Sequence, residues 1–443
     1  MITKMKKYIL IVASMLFTLE AFSQNTLQVN GGKSYKYEPN VSATGLNLGC
    51  YVVPENQSLT FTFSSSSSEE MKLYSFGEYG ASQKREVTGA VQQENKLTYS
   101  GGDRDCGYVI EQNGSIYNFW ISEYRSVSSI ECDYSYSNMC EYARIIGDGI
   151  TIPYHSVYGS LAAIPRKVKF YTWTWNEEEM LPETSVEIVQ EVVPTVDDKM
   201  VFDSPFEKTI ITLIDDIPTK WGEPINEVST DEEYEPKAIF MEAVVTQIER
   251  EATNEIEAET EVGVYGGSAP VDMVFEAYVN EDNYFCWQFF NSAIGPDDPS
   301  PIVYATYLDQ TLEYTFKDSG ITYVRLHSEN ATCSKDITFT ISVSESFIDA
   351  PNAFSPGVSP GINDEWRVAY KSIVEFKCAI FDRWGVKMFE FNDPSVGWDG
   401  KYRGKYVPSG VYFYVVQAKG SDGKDYKLKG HINILRGKDI YEE

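Results

Sequence analysis

Histidine is nearly missing: His155, His327 and His431 are the three in 443 residues, and each falls in a different stretch of the chain. A Ser-His-Asp triad or a His-rich metal centre needs an imidazole beside its partners, so both are hard to assemble within one module. Seven cysteines are present, but none sits in a C-x-x-C pair, which removes the usual zinc and dithiol signatures. No P-loop occurs. Positive charge is also short, because 37 Lys and Arg against 66 Asp and Glu leave a formal charge of −29. Such a surface repels phosphate, which argues against DNA, RNA and anionic lipid surfaces as partners. No apolar run reaches the roughly 20 residues that a bilayer-spanning helix requires.

The nearest approach to such a run is Tyr8 to Leu19, which follows the basic start Lys4-Met5-Lys6-Lys7 and is interrupted only by Ser14 and Thr18. A basic segment, a short apolar segment and then small Ala21 and Ser23 resemble a secretory leader, with cleavage expected before Gln24. No cysteine follows the expected cut, so lipid attachment there is not expected, and the mature chain is expected to carry no membrane span.

Past the leader, short alternating runs rich in Val, Ile, Thr, Tyr and Phe are cut by Gly, Asn, Asp and Ser clusters. Period-two alternation predicts half-buried antiparallel strands, clearest at Thr60–Phe63, Val168–Trp173, Ile337–Ile341 and Val374–Cys378. The one stretch with any helical look, Lys237 to Arg250, has the β-branched content of a strand. The fold class is therefore all-β, read as tandem β-sandwich modules in a multi-domain chain. At roughly 100–200 residues per domain, several small cores in series are predicted. The expected units are a leader at 1–23, an N-terminal β domain at 24–160, an acidic β-rich domain at 161–262, a sandwich at 263–346 and a C-terminal module at 347–443.

Within the first unit, Ser64 to Ser68 reads as a loop. The aromatics Tyr108, Tyr117, Phe119, Trp120 and Tyr124, followed by Tyr134, Tyr136 and Tyr142, are expected to pack in cores or across strands, with stacking on sugar rings as the alternative. In the second unit, clusters such as Glu177-Glu178-Glu179 and Asp231-Glu232-Glu233 lack calcium-loop spacing and read as a solvated face.

Gly267-Ser268-Ala269-Pro270-Val271, Phe285-Cys286-Trp287-Gln288-Phe289 and Tyr314 to Leu326 give residues 263–346 a resemblance to PKD-type immunoglobulin-like domains. The resemblance implies a spacer or binding module with Trp287 between two sheets. The family's W-x-F-G-D-G turn is replaced here by Trp287-Gln288-Phe289-Phe290-Asn291-Ser292.

The last stretch is the most informative. Pro351-Asn352-Ala353-Phe354 opens it, and Asp382-Arg383-Trp384-Gly385 predicts a hairpin corner. Trp398-Asp399-Gly400 precedes a tight reversal at Pro408-Ser409-Gly410, which leads into Val411-Tyr412 and a final hairpin turning at Ser421-Asp422-Gly423. About seven strands are predicted. Taken in order, these stretches resemble the gliding motility-associated C-terminal domain, the type B sorting domain of type IX secretion cargo. The resemblance implies recognition by that machinery at the outer membrane and display at, or release from, the cell surface. In place of the family's acidic loop, Gly357 to Asp364 keeps only an Asn-Asp end.

The functional expectation is an exported, modular, adhesin-like or structural protein with no catalytic residue, metal or cofactor, whose partner is an unknown surface protein or glycan. The alternative is a secreted glycan-binding or glycan-active protein with its site in the aromatic N-terminal domain. Export permits disulfides. The pairs expected are Cys286 with Cys333, Cys132 with Cys140 and Cys50 with Cys106, leaving Cys378 free, although spacing leaves other connectivities open.

Overall fold

Alternation decides the local structure throughout. Thr60–Ser64, Arg166–Asn176, Ser334–Val343 and Ile373–Phe381 are strands, and Met241–Ile248 is a strand as its β-branched content predicts. The structure, a computed structural model, describes residues 25–258, 261, 263–281, 283–358 and 361–435. The expected leader and the tail from Gly437 lie outside the described residues. Among those described, the longest helical segment is the five-residue 3-10 turn Ile217–Trp221, so the protein is all-β.

The first unit packs a four-stranded sheet on a six-stranded one. The six-stranded sheet is covered on both faces, which explains why Gly49–Val53 is buried at every residue and does not alternate. Phe61, Phe63, Tyr108 and Phe119 fill the core between the sheets. Trp120, one residue on from Phe119, points to the opposite face, where Tyr154 and Ile217 cover it. The aromatics from Tyr108 to Tyr124 are thereby divided between two cores, and Tyr108, Phe119, Trp120 and Tyr124 are all buried. They form no exposed platform.

The second core begins before the expected boundary at 160. Val127, Ile130, Ala143 and Ile145 pack with Val168, Phe170 and Phe202 between a three-stranded and a four-stranded sheet. The hairpin Pro153–His155 with Leu161–Ala163 folds back on the first unit. Where the two units meet, Arg166 and Asp215 form an ion pair at 2.6 Å with both side chains at most 1% exposed. Tyr124 donates to the same carboxylate at 2.7 Å, and Arg166 donates to the carbonyls of Ile150 and Gly149. A charge pair removed from water persists only with its lone pairs and protons satisfied in this way.

The third core likewise starts early, because Met241–Ile248 pairs in full with Val271–Val279 and supplies Met241 to a cluster centred on fully buried Trp287 and Phe289. The turn Asp318-Ser319-Gly320 carries the chain from the sheet of Thr311–Phe316 to that of Gly320–Glu329.

The expected disulfides are not those formed. Cys140 bonds Cys333, and Cys50, Cys106, Cys132, Cys286 and Cys378 are free. Cys50 lies opposite Trp120 and Cys106 opposite Ile121 on the two neighbours of one strand, so the two thiols face opposite sides of the sheet. Cys132 sits on a strand against the second core, while Cys140, in the following loop, reaches the hairpin end of the third sandwich. Cys286 is buried on strand Tyr284–Phe290, and its nominal partner Cys333 is already taken.

Candidate functional site in the C-terminal module

Residues 348–434 fold around one cluster that includes Phe354, Trp366, Tyr370, Trp398, Tyr412 and Ile432. Among the described residues, nine strand segments build the module where about seven were predicted, the surplus being pieces of two or three residues. Its main sheet runs Ala353–Phe354, Asp425–Ile434, Gly410–Gly420, Ile373–Phe381, Lys387–Phe391, with the first pair parallel and the rest antiparallel.

The opening motif is a closure device. Asn352 offers its carbonyl to the Asn433 amide at 2.8 Å, and Phe354 accepts from Leu435, so the first strand is pinned to the last. Pro351 accepts the Trp366 indole N–H at 2.6 Å. Trp366 and Trp398 exchange two backbone hydrogen bonds at 2.9 and 3.0 Å, and both rings are fully buried. The Trp398 ring lies 5.6 Å from Phe354 and 5.4 Å from Tyr412. Asp399 accepts the Lys401 amide and pairs with its ammonium at 2.9 Å, holding the turn. Gly400 has φ +74°, and a Cβ there would stand 2.9 Å from Pro356. The Tyr412 hydroxyl donates to the Pro408 carbonyl across Ser409-Gly410 at 3.1 Å. In the loop that ends at Asn363-Asp364, the Asp364 carboxylate accepts the amides of Gly357 and Gly361 at 2.9 and 2.5 Å, so it serves the backbone.

At the corner Asp382-Arg383-Trp384-Gly385, the Asp382 carboxylate accepts the Trp384 and Val386 amides, each at 2.8 Å. Gly385 takes φ +83° to reverse the chain. Trp384 is 79% exposed, against 0% for Trp366 and Trp398. Burial pushes the free thiol of Cys378 up to about 12. Hydrogen bonds from Lys387 and Lys377 hold Glu390 down at about 2.

Two features of the module were not anticipated. Trp366, at the core, sits in a polar stretch, and its one signal was being a lone Trp with a counterpart at Trp398. The second is a strap at 250–256 from the third unit. Asn254 donates to the carbonyls of Val368 and Pro394 at 2.5 and 2.8 Å, and Ile256 donates to Tyr370. Nothing in that acidic segment pointed to docking. Serines complete the joint. Ser372, fully buried, accepts the Ala269 amide and lies 2.7 Å from the Ser344 hydroxyl, while Ser421 donates to the Ser344 carbonyl.

Elsewhere, a cleft of about 630 Å³ opens beside the Cys140–Cys333 bond, lined in part by Tyr142, Asp203, Phe206 and Lys335. The histidines stay apart, with His155 against the Trp120 ring, His327 hydrogen-bonded to Asp336 and His431 on the last strand.

Residues 348–434 match the family model described as the CHU_C type IX secretion signal domain. This is the sorting domain that the motifs resemble, and it marks the chain for export to the cell surface or beyond through contact with the type IX machinery. No curated protein matches the chain. Among solved structures, it is similar to three N-terminal domains of the bacteriophage RB49 Highly Immunogenic Outer Capsid protein, with 10% identity, 70% of this chain and 99% of the other covered, and a TM-score of 0.21. Sidekick-1 immunoglobulin domains 1–5 align at 10% identity over 93% and 81% of the chains, with a TM-score of 0.23. A Ca2+-stabilized adhesin by which an Antarctic bacterium binds ice aligns at 9% identity over 87% and 96%, with a TM-score of 0.18. Likeness at that level says nothing about what those proteins and this chain do.

Proposed function

We propose that this protein is type IX secretion cargo displayed at or released from the cell exterior, with residues 348–434 as the sorting domain and the three preceding sandwiches as an adhesin-like or structural array. The observation that carries the reading is the family match at 348–434, on a module whose motif residues close one continuous core. An ion pair and a disulfide stiffen the joints between the preceding units, which suits a displayed array. The array acts by spacing or binding and not by catalysis, and three dispersed histidines support that part of the reading. A leader cleaved before Gln24 would take the chain across the inner membrane. Among the described residues no helix is long and apolar enough to cross a membrane.

The test is delivery. Full-length protein and a variant lacking 348–443 are produced in a cell with a type IX apparatus, then followed by fractionation and by protease added to intact cells. The full chain is expected outside and the truncated one retained. Delivery of the truncated chain at the full-length level overturns the reading.

A further inference from the structure

The inward residues of the C-terminal sheet are spent on the core, but its outer face is not ordinary solvent surface. On strand Gly410–Gly420, Val411, Phe413 and Val415 alternate outward at 46%, 45% and 43% exposure, positions where a one-sided sheet normally carries polar groups. Register places half-buried Phe381 opposite Phe413 and Ala379 opposite Val415. Phe381 ends its strand, and three residues on, in the corner Asp382-Arg383-Trp384-Gly385 that follows, comes Trp384. The corner explains Asp382, whose carboxylate fixes the turn, and Gly385, whose positive φ reverses it. It does not explain an indole that is 79% exposed, whose ring contact is the Arg383 guanidinium at 5.4 Å.

Around the apolar row lysines outnumber carboxylates, with Glu375, Glu390 and Asp425 on the same face as Lys377, Lys419, Lys427 and Lys429. Phe413 and Val415 pair with His431 and Lys429 on the last strand, and Lys427 follows on the same face. Among the described residues, neither Lys427 nor Lys429 has an acidic group at ion-pair distance, whereas Lys377 and Lys387 share Glu390. The contrast with the rest of the chain is wide. Residues 351–435 carry twelve Lys and Arg against nine Asp and Glu, and residues 25–350 carry twenty against fifty-three. An apolar centre with a charged rim is the anatomy of a protein-binding surface.

We propose that the outer face around Phe413 and Val415, with Trp384 in the corner that follows Phe381, is the surface gripped by a protein component of the type IX machinery, and that this component presents an apolar seat with an acidic rim. The assignment rests on the secretion reading above. A tryptophan anchor supplies the affinity, and the lysines supply orientation and rate.

Three full-length variants test it: Trp384→Ala, Phe413→Ser with Val415→Thr, and Lys427→Glu with Lys429→Glu. All the positions are at the surface, so far-UV circular dichroism and melting temperature are expected to stay at wild-type values. Delivery to the cell exterior is expected to fall about tenfold or more in the first two and to slow in the third. Wild-type delivery of the first two overturns the proposal. If truncation at 348 blocks delivery while they pass, only this surface assignment falls; if the truncated chain is also delivered, the secretion reading falls with it. Should one apolar variant misfold, the other and the lysine pair carry the test. A wild-type dimer in light scattering that Trp384→Ala turns into monomer, with delivery intact, assigns the face to a second copy and likewise overturns it.

Discussion

Cys140 and Cys333 are bonded across 193 residues of chain, and the bond joins the second sandwich to the third. Around it, Trp173 meets Phe240 and Trp175 meets Tyr278, while Asn280 donates to the Phe206 carbonyl at 2.7 Å. The disulfide therefore closes a joint that also has an aromatic contact.

Replacing both cysteines by serine is expected to cost on the order of 2–5 kcal/mol, because a long loop is released in the unfolded chain. The strands should survive, so the far-UV spectrum stays while the melting temperature falls. Limited proteolysis between residues 235 and 240 should accelerate.

The buried pair Arg166–Asp215 gives a sharper result. Asp215→Leu alone leaves a guanidinium stranded in the interior, with an expected loss of about 3–5 kcal/mol. The double variant Arg166→Met with Asp215→Leu should lose much less than the two single effects combined, because no charge remains uncompensated. Urea unfolding of the four proteins in the cycle measures this.

The free thiols are expected to be inert in the native state. Burial raises Cys50 and Cys378, the latter to about 12, and raises Cys106 to about 11. Iodoacetamide at pH 8 should leave these three unmodified in folded protein and label five cysteines after unfolding without reductant. Rapid native labelling of Cys378 contradicts the packing of the C-terminal core.

Glu390 sets an acid-side slope. Its carboxyl is held at about 2 in the folded protein by Lys387 and Lys377, below the ordinary value of roughly 4.3. The lowered value means that its stabilisation is complete above pH ~4.3 and is lost as the pH falls toward 2. Glu390→Gln should flatten that part of the melting-temperature profile. The effect is small, because the ion pairs lie at the surface.

Much of this architecture was legible in the residues. Thr60–Phe63 and Val374–Cys378 alternate visibly, and the turn at Ser421-Asp422-Gly423 joins the two strands expected of it. Gly49–Val53 carries no alternation because both of its faces are covered. Boundaries slipped where a strand was recruited across a linker, as Tyr142–Ile146 and Met241–Ile248 were, since period-two patterning does not say which sheet a strand joins. Cys140–Cys333 was out of reach for a related reason, because pairing depends on how two modules meet. The corner at Asp382-Arg383-Trp384-Gly385 was predicted from its turn residues, while the exposure of Trp384 emerged only from folding.

The strap at 250–256 bears on how this export tag is transplanted. A passenger fused at residue 347 would omit Asn254 and Ile256, uncovering the carbonyls of Val368, Tyr370 and Pro394 and the serine contacts of the joint. A graft that starts near residue 239 carries the third sandwich along as an adaptor and keeps those contacts in place.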